Sequence, residues 1–328
     1  MQRNFESFQQ IMTQHTRYVL TTHVNPDPDA IGSELALARF LASRGKIVAV
    51  LNHSPMPAYC AFLDPTGIIE QFDASRHANM ILGADAIIVL DANQPNRLQT
   101  LKPYLLNAKA VKVCIDHHLD TQPFADLYIV DPESAATGEI LYNLLTFLDK
   151  ECITPQIAAP LYAAIMADTG SFRFPKTDSG VHRIIADLLD HGANPVDIYR
   201  GIYDQGTANR LQLLGNVLAT LQLAHNGAVA YLSASREMFK QTATTEEDIE
   251  NFINYTLTIA GVQIGLMFTE LPEGVKVSFR SRGDIEVNKL AQEFGGNGHK
   301  NAAGARIVAD RLDAVRARIV AASEKYTH

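Results

Sequence analysis

The 328 residues are 47% hydrophobic and carry a formal net charge of −8, enough apolar content for one large core or two moderate ones. The acidic balance excludes a protein that wraps long nucleic acid through many phosphate contacts, and any anionic substrate should be short. Three cysteines, Cys60, Cys114 and Cys152, without CxxC spacing suggest neither a disulfide framework nor a thiolate zinc site, as expected of a protein of the reducing cytoplasm.

In chain order, the opening MQRNFESFQQIMTQHTRYVL is amphipathic and lacks the apolar run of a signal peptide, and no later stretch reaches membrane-spanning length, so no membrane association is expected. Short apolar runs, RYVLTTH, KIVAVLN, AIIVLD, VKVCID and LYIVD, alternate with longer helical patterns such as IGSELALARFLASRG. Continuous apolar strands separated by helices predict an α/β domain with a Rossmann-like parallel sheet covered on both faces, over residues 1–190. The stripe Ile31, Leu35, Ala38 and Leu41 is its helix core. Residues 191–211 read as a helical linker. Beyond them AVAYLSAS and the pair GVQIGLMFTEL and GVKVSFRSRG, joined at Pro-Glu-Gly, read as strand and hairpin between helices, which predicts a smaller α+β domain with a mixed sheet at 212–328.

Four acidic or imidazole clusters sit on this frame. In HVNPDPDA, His23, Asp27 and Asp29 follow the first strand and precede the first long helix. Asp91 ends AIIVL; Asp116, His117 and His118 end VKVCI. Ligands of open α/β sheets bind at that carboxyl edge. Asp168 closes the helical run PLYAAIMADTG, and its place near the same rim is an inference. Singly, each has an ordinary explanation: a solvated Pro/Asp turn with Asp29 capping a helix, a turn former at Asp91, a polar loop at the histidines. Together, uncompensated carboxylates would repel and be partly protonated, so their convergence makes sense with cations among them. An EF-hand loop begun at Asn25 fails, finding Ala30 and Ala36 where Gly and an acid are needed. Two imidazoles and four carboxylates without a thiolate suit Mn²⁺, with Mg²⁺ or Co²⁺ as alternatives. Six ligands fit a pair of ions sharing a carboxylate, which would activate water and clamp a phosphoryl group for in-line displacement. That spacing predicts hydrolysis of a phosphoester or a phosphoanhydride.

HVNPDPDAIGS, the aspartate of VLDANQPNR, IDHH, MADTGSF and the C-terminal FRSRGDIEVNKLAQEFGGNGHKNAAGA together resemble the motifs of the DHH phosphoesterase superfamily with its DHHA1 substrate domain. RecJ nucleases and family II pyrophosphatases belong to the same superfamily. Size and two-domain plan look most like the NrnA-type branch. The resemblance implies an enzyme that degrades RNA of two to five residues, linear dinucleotides included, to mononucleotides and dephosphorylates 3′-phosphoadenosine 5′-phosphate (pAp), and it implies a homodimer. It places one Mn²⁺ on His23, Asp27 and Asp91 and a second on Asp29, Asp91, His117 and Asp168, with Asp91 bridging. His118 would approach the scissile phosphate, and Asp116 would orient neighbouring imidazoles.

In the second domain Arg280 and Arg282 alternate with Ser281, so both guanidinium groups should project to one side of a strand and grip phosphate. Gly296, Asn297, Gly298 and His299 would let backbone amides and an imidazole approach an anion. A solvated strand face and a helix C-cap are the plainer readings of these residues. Asn297, where the motif more often has Gly, is expected to tolerate positive φ. A pyrophosphatase or exopolyphosphatase and a catalytically silent nucleotide-binding module are the remaining alternatives; the latter predicts damaged ligands, and none is damaged. His15, His53, His77, His182, His191, His225 and His328 lack acidic neighbours at ligand spacing and are expected to serve surface or packing roles. Arg97, downstream of Asp91, is a weak candidate for reaching substrate.

Overall fold

Apolar strands alternating with helices give the chain its first layer structure. The structure, a computed structural model, describes residues 2–308 and 310–327; His328 lies outside them. The described chain forms two compact units, Met1–Gln205 and Gly206–His328.

In the first unit, β1 (Arg17–Thr21), β2 (Ile47–Asn52), β3 (Ile69–Gln71), β4 (Ala86–Leu90), β5 (Val111–Asp116) and β6 (Leu127–Val130) form one sheet in the order β3-β2-β1-β4-β5-β6. Every pairing is parallel. Five of these strands follow the apolar runs read from sequence; β3, three residues long, carries no such run. The helices are α1 (Gln2–Gln14), α2 (Pro28–Ser43), α3 (Ala74–Leu82), α4 (Lys102–Asn107), α5 (Thr137–Leu148), α6 (Pro155–Asp168), α7 (Ser179–Asp190) and α8 (Pro195–Tyr203).

Alternation along the strands feeds two cores. Ile88 and Leu90 of β4 join Leu35 and Leu41 of α2 and Leu161 of α6, while Ile87 and Val89 face Leu98, Leu101 and Leu105 on the other side. Helices thus cover both faces, which is why the centres of the inner strands are apolar on both sides. The chain runs outward from β1 to β3, then returns to place β4 on the other flank of β1. The crevice at that reversal, outside the carboxyl ends of β1 and β4, is where open α/β sheets bind ligands.

Helix α2 crosses α6 closely because Gly32 has no side chain: a Cβ there would lie 2.3 Å from the Pro160 carbonyl oxygen. Gly32→Ala is expected to lower stability by about 1–3 kcal/mol through this overpacking, read as a fall in thermal midpoint, with little change expected if the two helices can separate.

The second unit holds α9 (Ala208–Leu218), α10 (Arg236–Thr242), α11 (Val287–Gln292) and α12 (Leu312–Ser323) with β7 (Gln222–Ala224), β8 (Val229–Ala234), β9 (Ile264–Leu271), β10 (Gly274–Ser281), β11 (Asn297–His299) and β12 (Ala302–Val308). The sheet order is β11-β12-β10-β9-β8-β7. Only β8 and β9 pair in parallel; the other pairings are antiparallel, so the sheet is mixed as expected. Leu266 and Phe268 of β9 pack with α11 and α12, and Met267 packs with Leu213 and Val217 of α9. The predicted hairpin is β9 and β10, with Leu271 opposite Gly274. No described helix is long and apolar enough to cross a membrane.

Candidate metal centre

The carboxyl ends of the first sheet gather the six predicted ligands in one place. Three of their atoms, from His23, Asp27 and Asp91, lie within 4.8 Å of one another, as do three from Asp29, His117 and Asp168. Asp91 also reaches the second group, its Oδ1 standing 3.7 Å from His117 Nε2.

Each side chain is held by local geometry. Asp27, and not Asp29, is the N-cap of α2: its Oδ1 accepts from the N–H groups of Asp29 and Ala30 at 3.0 and 3.1 Å. Asp29 lies in the first turn of that helix, buried, and caps a different one. Its two oxygens accept from the Thr137 and Gly138 N–H groups at 2.8 and 2.9 Å, at the start of α5, where free amides and the helix dipole favour an anion. Gly138 lets the start of α5 pack against α6, since a Cβ there would lie 2.6 Å from Ala164 Cβ. Asp91 follows β4 with φ 56°, a conformation uncommon outside glycine, and accepts a 2.9 Å hydrogen bond from the Thr137 hydroxyl.

The tautomers of both histidines follow from their partners. His23 Nδ1 lies 2.9 Å from the Val24 carbonyl and His117 Nδ1 lies 3.3 Å from the Ser134 carbonyl, so each Nδ1 carries the proton and each Nε2 presents a lone pair. Those lone pairs face carboxylate oxygens: His23 Nε2 is 3.2 Å from Asp91 Oδ2, and His117 Nε2 is 3.2 Å from Asp168 Oδ2. His23 Nε2 is buried without a hydrogen-bond partner. Acceptor facing acceptor is unfavourable unless a proton or a metal cation lies between them. The donor set, imidazole and carboxylate without thiolate, suits a divalent ion of borderline hardness.

Burial and mutual repulsion set the charges. Asp29 is pushed well above the usual carboxylate range, by burial first and then by the charges of Asp91, Asp168 and Asp27. Asp168 rises to about 6, burial outweighing the opposing pull of His117. Burial also pushes Asp91 upward, but the imidazoles of His23, His118 and His117, when protonated, bring it below its ordinary value. Perturbations of this kind cluster where a chain holds ions or reacting groups.

Asp116 folds back over the turn that follows it. Its Oδ1 accepts from His117 N–H at 2.7 Å, His118 N–H at 3.2 Å and His118 Nδ1 at 2.7 Å. It therefore orients His118 directly and His117 only through the backbone. That hydrogen bond raises the His118 pKa above its ordinary value, and the imidazole, 43% exposed, keeps Nε2 for another partner. Asn93 Nδ2 donates to the His118 and Leu119 carbonyls at 2.8 and 3.1 Å, pinning the loop.

The second unit departs from expectation in detail. Strand β10 ends at Ser281, so Arg282 lies beyond the strand, with its guanidinium on the Leu257 carbonyl; half-buried Arg280 donates to the Phe279 carbonyl at 3.0 Å. Ser281 is buried and donates to the Ile285 carbonyl at 2.7 Å. Gly296 N–H donates to the Ala291 carbonyl at 2.9 Å, closing α11. Asn297 starts β11 and is not left-handed; positive φ falls on Gly295 and Gly298. A Cβ on Gly298 would lie 2.4 Å from Ala303 Cα, so the glycine is needed where β11 pairs with β12. His299 is exposed at the end of β11.

The remaining histidines take no part in a metal cluster among the described residues. His77 pairs with Glu70 at 3.4 Å and His191 with Asp187 at 3.4 Å. Sequence reading missed Thr137, Gly138, Asn93 and Asn52. The one signal for the first two was a glycine in the opening turn of a helix, at a position that has no need of one unless something approaches closely.

Residues 17–165 match the DHH family, N-terminal domain, and residues 225–325 match the DHHA1 domain. The chain is 31% identical over 305 residues to the bifunctional oligoribonuclease and PAP phosphatase NrnA of Thermus thermophilus, covering 92% of this chain and 88% of that one. It is 28% identical to the protein of the same name from Bacillus subtilis, covering 90% and 91%. A crystal structure described as an exopolyphosphatase-related protein from Bacteroides fragilis superposes with a TM-score of 0.92 at 30% identity, covering 99% of this chain and 97% of that one. With both domains matched, the chain belongs to the DHH family and is a phosphoesterase, with a side-chain cluster that could hold divalent metal.

Proposed function

We propose that the protein is a Mn²⁺-dependent phosphoesterase that cleaves RNA of two to five residues, linear dinucleotides included, to mononucleotides and dephosphorylates pAp. The observation that carries this reading is the pair of imidazole lone pairs facing carboxylates on either side of Asp91. His23, Asp27 and Asp91 would hold one ion and Asp29, Asp91, His117 and Asp168 the other. Two divalent ions in such a site supply Lewis acidity and lower the pKa of water. The names of the Thermus thermophilus and Bacillus subtilis relatives support the substrate class.

Around that centre the chain's own residues position the substrate and move protons. Asp116 keeps the proton of His118 on Nδ1 and raises its basicity, so Nε2 can hold a second proton and deliver it to the leaving oxygen. The buried carboxylates, fixed by Thr137, Gly138 and the α2 amides, keep the ligand geometry in place before substrate arrives. We assign residues 1–190 to catalysis, 191–211 to a linker and 212–328 to substrate, with Arg280, Ser281, Arg282, Gly296, Asn297, Gly298 and His299 as its phosphate and nucleotide contacts, and we place the enzyme in the cytoplasm as a homodimer.

Purified protein with Mn²⁺ should hydrolyse a dinucleotide and pAp. Inactivity on both with activity on pyrophosphate or polyphosphate would move the assignment to a phosphoanhydride hydrolase, the alternative suggested by the description of the Bacteroides fragilis structure. His118→Ala should lower kcat by about 10²–10⁴-fold while Mn²⁺ binding persists. A kcat within threefold of wild type would remove His118 from the reaction.

A further inference from the structure

Behind the cluster lies a buried acid that the reaction as described does not use. Glu34, in the second turn of α2, is fully buried. Its Oε2 accepts from Asn52 Nδ2 at 2.7 Å, and its Oε1 has no partner. The Asn52 amide ends β2 and is itself fully buried; its Oδ1 accepts from the Thr22 N–H at 3.1 Å. Thr22 in turn donates its hydroxyl to the Leu90 carbonyl at 2.7 Å. The residues that follow Thr22 and Leu90 are His23 and Asp91, which belong to one ligand group.

The chemistry of the carboxamide gives this chain of contacts a direction. An asparagine amide has a donor end and an acceptor end of nearly equal shape. Only one orientation puts Oδ1 on the Thr22 N–H; the flipped one would face donor to donor. Glu34 offers an acceptor and no backbone donor competes for it, so it selects the orientation in which Asn52 can hold Thr22. A buried carboxyl with one oxygen unpartnered costs stability on its own account, and a leucine or methionine would fill the same space on α2 at less cost.

We propose that Glu34 is a positioning residue: by fixing the Asn52 amide it holds the end of β1 so that His23 meets Asp91 in ligand geometry. This rests on the metal reading above. The side chain touches neither ligand nor substrate in the contacts it makes, and its effect passes through Asn52 and Thr22. Outer partners of metal ligands that act in this way typically change metal affinity by about 10–100-fold.

The test is a titration of the full-length, metal-stripped protein with Mn²⁺ alone, followed by electron paramagnetic resonance of the free ion, with thermal midpoints recorded in parallel without metal. Glu34→Met removes the acceptor and keeps the chain length. It should weaken one of the two Mn²⁺ sites, the one His23 serves, by about tenfold or more while the metal-free midpoint stays equal to wild type or rises. Glu34→Gln keeps an acceptor for Asn52 and should bind Mn²⁺ within about twofold of wild type. Asn52→Ala cuts the same link from the other side and should lose affinity as Glu34→Met does, which carries the test if the methionine variant does not fold. Wild-type affinity in Glu34→Met, or a loss in Glu34→Gln as large as in Glu34→Met, would overturn the proposal. Failure of the wild-type protein to bind Mn²⁺ at all would overturn the metal reading and this proposal with it, and is distinguished by the wild-type curve itself.

Discussion

Asp91→Asn is expected to turn over a dinucleotide at least ~10³-fold more slowly than wild type, equal to about 4 kcal/mol of lost transition-state stabilisation. Asp91 is the residue whose two oxygens address both ligand groups, Oδ2 toward His23 and Oδ1 toward His117. An asparagine has one oxygen and can serve only one of them. The substitution is chosen to spare the fold: Asn tolerates the left-handed conformation at this position, and its carbonyl can still accept from the Thr137 hydroxyl. The metal-free variant should keep a cooperative melting transition, since loss of the Asp91 charge relieves its repulsion of Asp29 and Asp168 while removing its attraction to the imidazoles. Turnover within tenfold of wild type would refute the shared carboxylate, and a collapsed melting transition would show that Asp91 is needed for folding instead.

Addition of Mn²⁺ should raise the melting temperature by more at pH 7.5 than at pH 5.5. Asp29 and Asp168 have folded-state pKa values above those of an unfolded chain, Asp168 at about 6. Between an ordinary aspartate value near 4 and about 6 the folded apo-protein therefore binds more protons than the unfolded chain, and its stability falls as pH rises through that window. Glu34, pushed up to about 8 by burial against the hydrogen bond from Asn52, with Asp91 adding to the rise, extends the decline upward. The higher pH therefore carries the larger penalty on the ligand carboxylates, and a cation that binds only deprotonated ligands removes it. At 100 times its dissociation constant one ion contributes about 2.7 kcal/mol, worth roughly 5–10 °C for a unit of about 200 residues. Differential scanning fluorimetry at both pH values decides it; an equal shift at each, or none, would mean that the carboxylates are not where the ion binds.

Much of this site could be read before any coordinates because the ligands punctuate the apolar runs. His23, Asp91 and His117 each come just after a strand with an apolar centre, so the parallel sheet and the rim were legible together. Asp168 was harder, since it ends a helix, and its approach to His117 depends on how α6 packs on α2. The supporting residues left no local trace. Thr137 and Gly138 meet Asp29 across 108 and 109 positions, and a threonine at a helix start looks the same whether it serves a remote carboxylate or its own turn. Glu34 falls in a helical pattern where an acid ordinarily faces water; only the near-total burial of α2 shows otherwise. The second unit shows the opposite error. Alternation of Arg280, Ser281 and Arg282 implied a strand through all three, but the strand ends at Ser281 opposite Ile264, and the Arg282 guanidinium is held on the Leu257 carbonyl.

The ligands come from residues as far apart as His23 and Asp168, on a sheet edge that exists only after β1, β4 and β5 have paired and α6 has docked on α2. An ion captured so late cannot act as a nucleus for collapse in the way a zinc finger's metal does. Chains made during metal starvation should therefore accumulate as folded, dormant enzyme, and a later influx would switch on the existing pool without new synthesis. The ion that fills the rim would then be decided by cellular supply at that moment more than by the polypeptide.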